Sequence, residues 1–327
     1  ESGFLKTSLP YNVMLKLYSQ VGMYEKLDSM INEMREAGIK CDAITFTIRL
    51  SAYAATSDIP GMEKLLESIE ADPDSEAFVD WNTYAVIATA YLRAGLPEKT
   101  VAMLRKSEGL VGSSSRRQAY EVFMTLYASL GNKDEVYRAW GLYRALAKFY
   151  NSSYLCMISS LVKLDDIEGA ERIWKEWDTG KTSFDKRFPN LMITACAKMG
   201  LWEKAEMYFD KFRENRRKPD TSSWERLAMT YYRGHQKDKL AETLKRAILG
   251  SEPGWVPRFH TFTTYLQYLK GEGGDKVAEQ LLMLVKERCH WSEETCKRMM
   301  GDILSSSDDQ RLEWKTLALT ELKAERS

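Results

Sequence analysis

Histidine is nearly absent from this chain, with three in 327 residues, and cysteine is sparse, with five. Cys289 and Cys296 flank His290 only loosely, and no CxxC pair accompanies them. A zinc site needs three or four such ligands close together, so no metal is expected. The five thiols (Cys41, Cys156, Cys196, Cys289 and Cys296) show no paired framework and read as reduced, mostly buried side chains. Net charge is also missing: 47 basic residues balance 47 acidic ones. No global field therefore draws the protein to nucleic acid or to a membrane. No apolar run approaches the ~18 residues of a membrane span. The opening residues, ESGFLKTSLP, hold neither a basic nor an apolar leader stretch, so the destination is not written there. The glycine-rich KGEGGDK (270–276) lacks Gly-Lys-Ser/Thr and reads as a loop rather than a phosphate cradle. Neither a cofactor nor a small-molecule substrate is implied.

What is present is a repeat. Tyr11, Leu15 and Tyr18 stand at i, i+4 and i+7, the spacing of one buried helical face. The triplet recurs as Phe46–Leu50–Tyr53, Tyr84–Ala88–Tyr91, Tyr120–Met124–Tyr127 and Tyr154–Ile158–Leu161. It continues as Pro189–Ile193–Cys196, Trp224–Ala228–Tyr231 and Phe262–Leu266–Leu269. First members are 35, 38, 36, 34, 35, 35 and 38 residues apart. A breaker follows each stripe: Gly22, Gly95, Gly131, Gly200 and Gly273, with Ser57, Asp165 and His235 in the same role elsewhere. Glycine suits a helix C-terminus because it takes positive φ without penalty. A second amphipathic helix comes next, as in YEKLDSMINEMREAG. Two helices of about twelve residues with short loops fill the period, and such hairpins bury their faces only by stacking into an array. The expected fold is all-α.

Two repeat families share this layout. Tetratricopeptide repeats need a small residue midway along the first helix, where this chain has Leu15, Leu50, Met124, Ile158, Ile193 and Leu266. LPYNVMLKLYSQVGMYEKLDSMINEMREAGIKCD (9–42) instead resembles a pentatricopeptide repeat, with its aromatic–Asn start, glycine turn and closing EAGIKCD. PNLMITACAKMGLWEKAEMYFDKFRENRRKPD (189–220) is similar and ends in Lys-Pro-Asp. The resemblance is to pure P-type members of plant organelles, especially short mitochondrial ones and those of the mitochondrial ribosome. It implies a right-handed superhelical solenoid of eight helix-turn-helix units: 8–42, 43–80, 81–116, 117–150, 151–185, 186–220, 221–258 and 259–293. Residues 1–7 are an N-terminal remnant, and 294–327 are expected to cap the array with QRLEWKTLALTELKAE.

In that family each unit meets one RNA base with two residues, while a third wedges between bases. Carried onto this chain, Asn12 with Asp42 and Asn190 with Asp220 look like uracil readers, and Thr47 with Asp80 looks like a guanine reader. An Asn amide offers both a donor and an acceptor to a base edge. Ala85/Arg116, Glu121/Tyr150, Leu155/Asp185 and Glu225/Arg258 fit no familiar pair, and Thr263/Glu293 is a poor one. Glu121 and Glu225 would face phosphate with no visible compensating partner. Leu9 keeps the usual aliphatic wedge, but Asn82, Gln118, Ser152, Arg187, Ser222 and His260 replace it elsewhere.

Charge is segregated although its sum is zero. Residues 51–100 carry three basic and nine acidic side chains, whereas 101–250 carry 27 and 19. Arg116 with Arg117 and Lys186 with Arg187 stand at unit junctions, where cations near a phosphate backbone supply non-specific affinity. Trp255 and Trp291 fall in loops between units and could stack on a base or on a partner chain. The resemblance implies a non-catalytic RNA-binding protein located in the mitochondrion, with the chloroplast as the alternative. It shows none of the zinc-deaminase or nuclease motifs that some members append. The broken run of reading pairs favours a structural or assembly subunit of a ribonucleoprotein, with ribosomal RNA and ribosomal proteins as partners. A factor selective for one transcript and a peptide-binding scaffold are the alternatives.

Overall fold

The computed structural model describes residues 7–71, 79–146, 148–180, 183–251, 255–270 and 275–289, with 294, 297–299 and 301 beyond them. Among these residues every regular element is a helix and none is a strand. The helices form eight successive hairpins. They are α1 (Ser8–Gln20) with α2 (Tyr24–Glu36), α3 (Ala43–Thr56) with α4 (Ile59–Glu70), α5 (Trp81–Arg93) with α6 (Pro97–Gly109), and α7 (Arg116–Ser129) with α8 (Lys133–Arg144). The series continues with α9 (Asn151–Lys163) and α10 (Ile167–Gly180), α11 (Arg187–Met199) and α12 (Trp202–Glu214), α13 (Thr221–Arg233) and α14 (Lys237–Leu249), then α15 (Phe259–Lys270) and α16 (Asp275–Cys289). The all-α repeat expected from the stripes is what forms. The expected C-terminal capping helix, Gly273 and Trp291 lie outside the described residues.

The stripes are core. The middle residue of every triplet, from Leu15 and Leu50 through Ala88 and Met124 to Leu266, is completely buried. Tyr91, Tyr127 and Tyr231 are buried too, while Tyr18 and Tyr53 pack half-exposed against the core clusters of their hairpins. The third residue of each stripe has a second task. Its carbonyl accepts the amide that closes the turn, as in Asn132 N to Tyr127 O at 2.9 Å and Asp166 N to Leu161 O at 2.9 Å. That closure places the intervening residue at positive φ: +74° at Gly131, and +59°, +56° and +55° at Ser57, Asp165 and His235. The three non-glycine breakers therefore do adopt the left-handed conformation, at a cost that glycine avoids.

The chain divides after Trp177 into two units. In the first, α1, α3, α5, α7 and α9 pack one on the next in chain order, with α2, α4, α6 and α8 against them. In the second, α11 packs on α12 and α13, α13 on α14, and α14 and α15 on α16.

A polar ladder joins successive hairpins. A carboxylate on the second helix of one hairpin accepts a tyrosine hydroxyl from the first helix of the next hairpin and a cation from its second helix. Glu63 takes Tyr91 (2.9 Å) and Lys99 (2.6 Å), and Glu70 takes Tyr84 (2.9 Å) and Lys106 (2.8 Å). Glu108 takes Tyr127 (2.7 Å) and Arg138 (2.5 Å), and Glu206 takes Tyr231 and Lys239, each at 2.6 Å. Lys99 and its bond, followed by the Tyr91 bond, hold the Glu63 carboxyl below its ordinary range. Burial, and then the carboxylate bond, push the hydroxyls of Tyr91, Tyr127 and Tyr231 well above theirs. These rungs are charge-assisted and partly shielded from water, so they set the register of one hairpin against the next.

Tyr127→Phe removes only the hydroxyl that meets Glu108 and should cost about 1–2 kcal/mol, the scale of a hydrogen bond to a charged group. Tyr127→Ala also removes a fully buried ring and should cost about 3–5 kcal/mol. Denaturant titration of both variants measures the difference. A neutral Tyr127→Phe would strike the ladder from the forces that hold the stack.

Candidate nucleic-acid interface

The residue that closes a unit also starts the next first helix. Asp42, Asp80 and Asp220 hold extended backbone just before α3, α5 and α13. Each carboxylate accepts the amide three residues on: Thr45 N at 2.9 Å, Thr83 N at 2.8 Å and Ser223 N at 2.9 Å. Four amides at a helix start lack an internal partner, and such a cap satisfies one of them. Thr45 and Thr83 return the bond to the backbone of Asp42 and Asp80, completing capping boxes. The Asp-x-x-Thr/Ser spacing was visible in the sequence as a capping signal.

Of the three expected reading pairs, the structure brings one together. Asn12 Nδ2 donates to both oxygens of Asp42, at 2.9 and 3.0 Å, and Asn12 Oδ1 accepts from the Thr45 hydroxyl at 2.7 Å. Ser8 adds a bond to Asp42 at 2.5 Å. Asn12 is 4% exposed, so it is not the solvated side chain at a helix start that its position off the tyrosine stripe suggested. Its donor and acceptor edges already engage α3, which ties the first hairpin to the second. Burial opposes ionisation of Asp42. The bonds from Ser8, the Thr45 amide, Asn12 and the Thr45 hydroxyl outweigh it and hold the carboxyl below the usual aspartate value.

The other two pairs do not meet. Thr47 donates to the Ala43 carbonyl in its own helix at 2.8 Å, while Asp80 is occupied by Thr83. Asp220 receives Lys186 Nζ at 2.6 Å together with Ser223, and Asn190 Oδ1 is buried with no hydrogen-bond partner. For Asp220, burial again opposes ionisation, and Lys186 and Ser223 overcome it. Glu121, expected to stand uncompensated, is not. It accepts from Ser152 at 3.0 Å and from Ser153, and lies 3.4 Å from Arg117. It thereby links α7 to α9 much as Asn12 links α1 to α3.

Three stretches of the chain match models of this repeat: 7–55 matches the PPR repeat family, and 152–179 and 189–216 each match a PPR repeat. The chain is a pentatricopeptide repeat protein. It is 45% identical over 292 residues to a mitochondrial pentatricopeptide repeat-containing protein of Arabidopsis thaliana, covering 89% of this chain and 59% of that one. It is 33% identical over 217 residues to the large ribosomal subunit protein mL101 of the same plant, covering 65% of this chain and 44% of that protein. The chain thus spans less than two thirds of the curated relatives it matches. A crystal structure of the pentatricopeptide repeat protein PPR10 in complex with an 18-nt psaJ RNA element aligns at 15% identity and a TM-score of 0.48, covering 96% of this chain and 59% of that one.

Within this pentatricopeptide array the four junction cations are mostly matched. Arg187 is paired with Asp185 (2.6 Å) and Lys186 with Asp220. Arg117 lies against Glu121 and over the Tyr150 ring at 4.8 Å. Arg116 is exposed and, alone of the four, has no partner among the described residues.

Asn12→Ala should destabilise the chain by about 1–3 kcal/mol, because it strips partners from Asp42 and Thr45 in a buried network. A thermal melt unchanged by that substitution would show the network to be dispensable. Asp42 and Asp220 titrate lower folded than unfolded, so their contribution is complete above roughly 3.9, the ordinary aspartate value, and disappears as pH falls through the folded values. Asp42→Asn should therefore lower the melting temperature at pH 7 and flatten the loss of stability below about pH 4.

Proposed function

We propose that this chain is a non-catalytic RNA-binding protein of a plant mitochondrion, working as a structural or assembly subunit of a ribonucleoprotein, with the mitochondrial ribosome as the first candidate. The eight-unit array over 8–293 is the binding body in this reading. Its pentatricopeptide repeats support RNA binding. The mitochondrial names of its relatives support the compartment, and the likeness to a large ribosomal subunit protein supports the assembly.

One observation carries the choice of subunit over transcript reader. The amide that would read a base, on Asn12, is committed to Asp42 and Thr45 inside the protein. A reader needs free edges along a run of units, whereas a subunit held by folded RNA and neighbouring proteins needs only shape and charge. The unpaired Asn190 Oδ1 favours the second reading, transcript selection, at one unit. One base contact discriminates by about 1–3 kcal/mol in the better-measured DNA case, too little to select one transcript.

Sedimentation of plant mitochondrial extract should carry the tagged protein with ribosomal subunits. Recovery only in the slow, ribosome-free fractions would overturn the subunit reading. The isolated chain should bind short single strands weakly, with an affinity that falls as salt rises through counterion release. Nanomolar, sequence-selective binding to an eight-nucleotide strand would return it to the transcript-specific class.

A further inference from the structure

We propose that a cavity in the second unit receives a single nucleotide of the bound strand, its base stacked on Trp255 and its phosphate held by Arg226 and Arg233. The inference rests on the RNA-binding reading above and gives it a specific foothold. The cavity, of about 600 Å³, opens between α11, α13, α14 and α15, beside the segment 255–258. That volume lies in the range of small-ligand sites, roughly 300–1,000 Å³. Its floor is apolar, with Leu244, Ile248 and Tyr265 all buried.

Its walls differ from the rest of the chain in one respect. Along the ladder the cations meet carboxylates, but Arg226 and Arg233 do not. Arg226 donates to the Thr194 hydroxyl at 2.7 Å and Arg233 to the Ala197 carbonyl at 3.2 Å, both neutral acceptors. A guanidinium has five N–H donors, so each keeps most of its fork for an anion, and phosphate fits that fork in bidentate fashion. Trp255 is half-exposed and makes no hydrogen bond or ring contact among the described residues. A large aromatic face without a partner, beside two guanidiniums without an acid, suits a planar ring that carries a phosphate.

The single carboxylate in the lining, Glu225, adds selectivity. It repels phosphate at its own position but accepts from an exocyclic amino group, as carboxylates do from cytosine. Adenine or cytosine should therefore be preferred to uracil here. An acidic peptide would satisfy the guanidiniums but leave the indole and the apolar floor without a matching surface.

The test uses the chain as it stands with twelve-nucleotide A, C and U homopolymers as probes, each variant being checked by circular dichroism melting. Trp255→Ala should weaken A-strand binding about tenfold, the order reported for removal of one stacking platform, and Trp255→Phe should restore most of it. The double variant Arg226→Gln/Arg233→Gln should weaken binding and reduce the salt slope by about one phosphate's share, roughly 0.7. Glu225→Gln should erase the preference for A and C over U. If the parent chain binds RNA and folded Trp255→Ala and double-arginine variants bind it equally well, the pocket assignment falls while the RNA reading stands. If the parent binds none of the strands, both fall together. Trp255-dependent binding of a tyrosine-containing polyglutamate peptide, with RNA binding unaffected by the variants, would overturn the assignment in favour of a protein partner.

Discussion

A carboxylate shared between two hairpins is the interaction on which the stack depends. A lone helical hairpin leaves one face of each helix uncovered and gains stability only against a neighbour. Apolar packing supplies the attraction but is non-directional and tolerates sliding. Glu63, Glu70, Glu108 and Glu206 remove that freedom, since each must meet a tyrosine hydroxyl and a cation from the following hairpin at once. A shift of one helical turn, about 5.4 Å, would break both bonds. The chain's neutral charge follows from the same arrangement, because many of its cations are structural counterparts of its acids.

The same economy of parts appears at the unit boundaries. Asp42 caps α3, anchors Ser8 and Asn12, and so fastens α1 to the helix it starts. Glu121 uses Ser152 and Ser153 for the same fastening between α7 and α9. Residues in these slots have two possible partners, a neighbouring hairpin or an external base. Where the internal partner has complementary donors and acceptors, as at Asn12, it wins, because the network is buried and preorganised. Where it is absent, as at Asn190, a buried acceptor is left unmatched, at the cost of lost solvation. The array is thus uneven along its length: closed at its start, with an open acceptor at α11.

How much of this was legible beforehand differs by feature. The period, the paired helices, the core stripe and the turn residues were all readable, even Ser57, Asp165 and His235 in place of glycine. Each depends on contacts within about ten residues, where spacing along the chain fixes spacing in space. The caps at Asp42, Asp80 and Asp220 were also written locally, in Asp-x-x-Thr/Ser.

Only the tertiary structure decided which polar groups meet. Tyr91 and Glu63 stand 28 residues apart, and Arg226 and Thr194 stand 32 apart. No local rule links them, because the contact is made by the rotation of one hairpin against the next. The stripe fixed which face of α1 turns inward, yet Asn12 sits at the margin of that face, where a few degrees of helix rotation separate solvent from burial. The sequence therefore determined a repeating all-α chain with its core and turns. Packing between hairpins determined which side chains are consumed in holding it together and which, like Arg226, Arg233 and Trp255, remain available to something else.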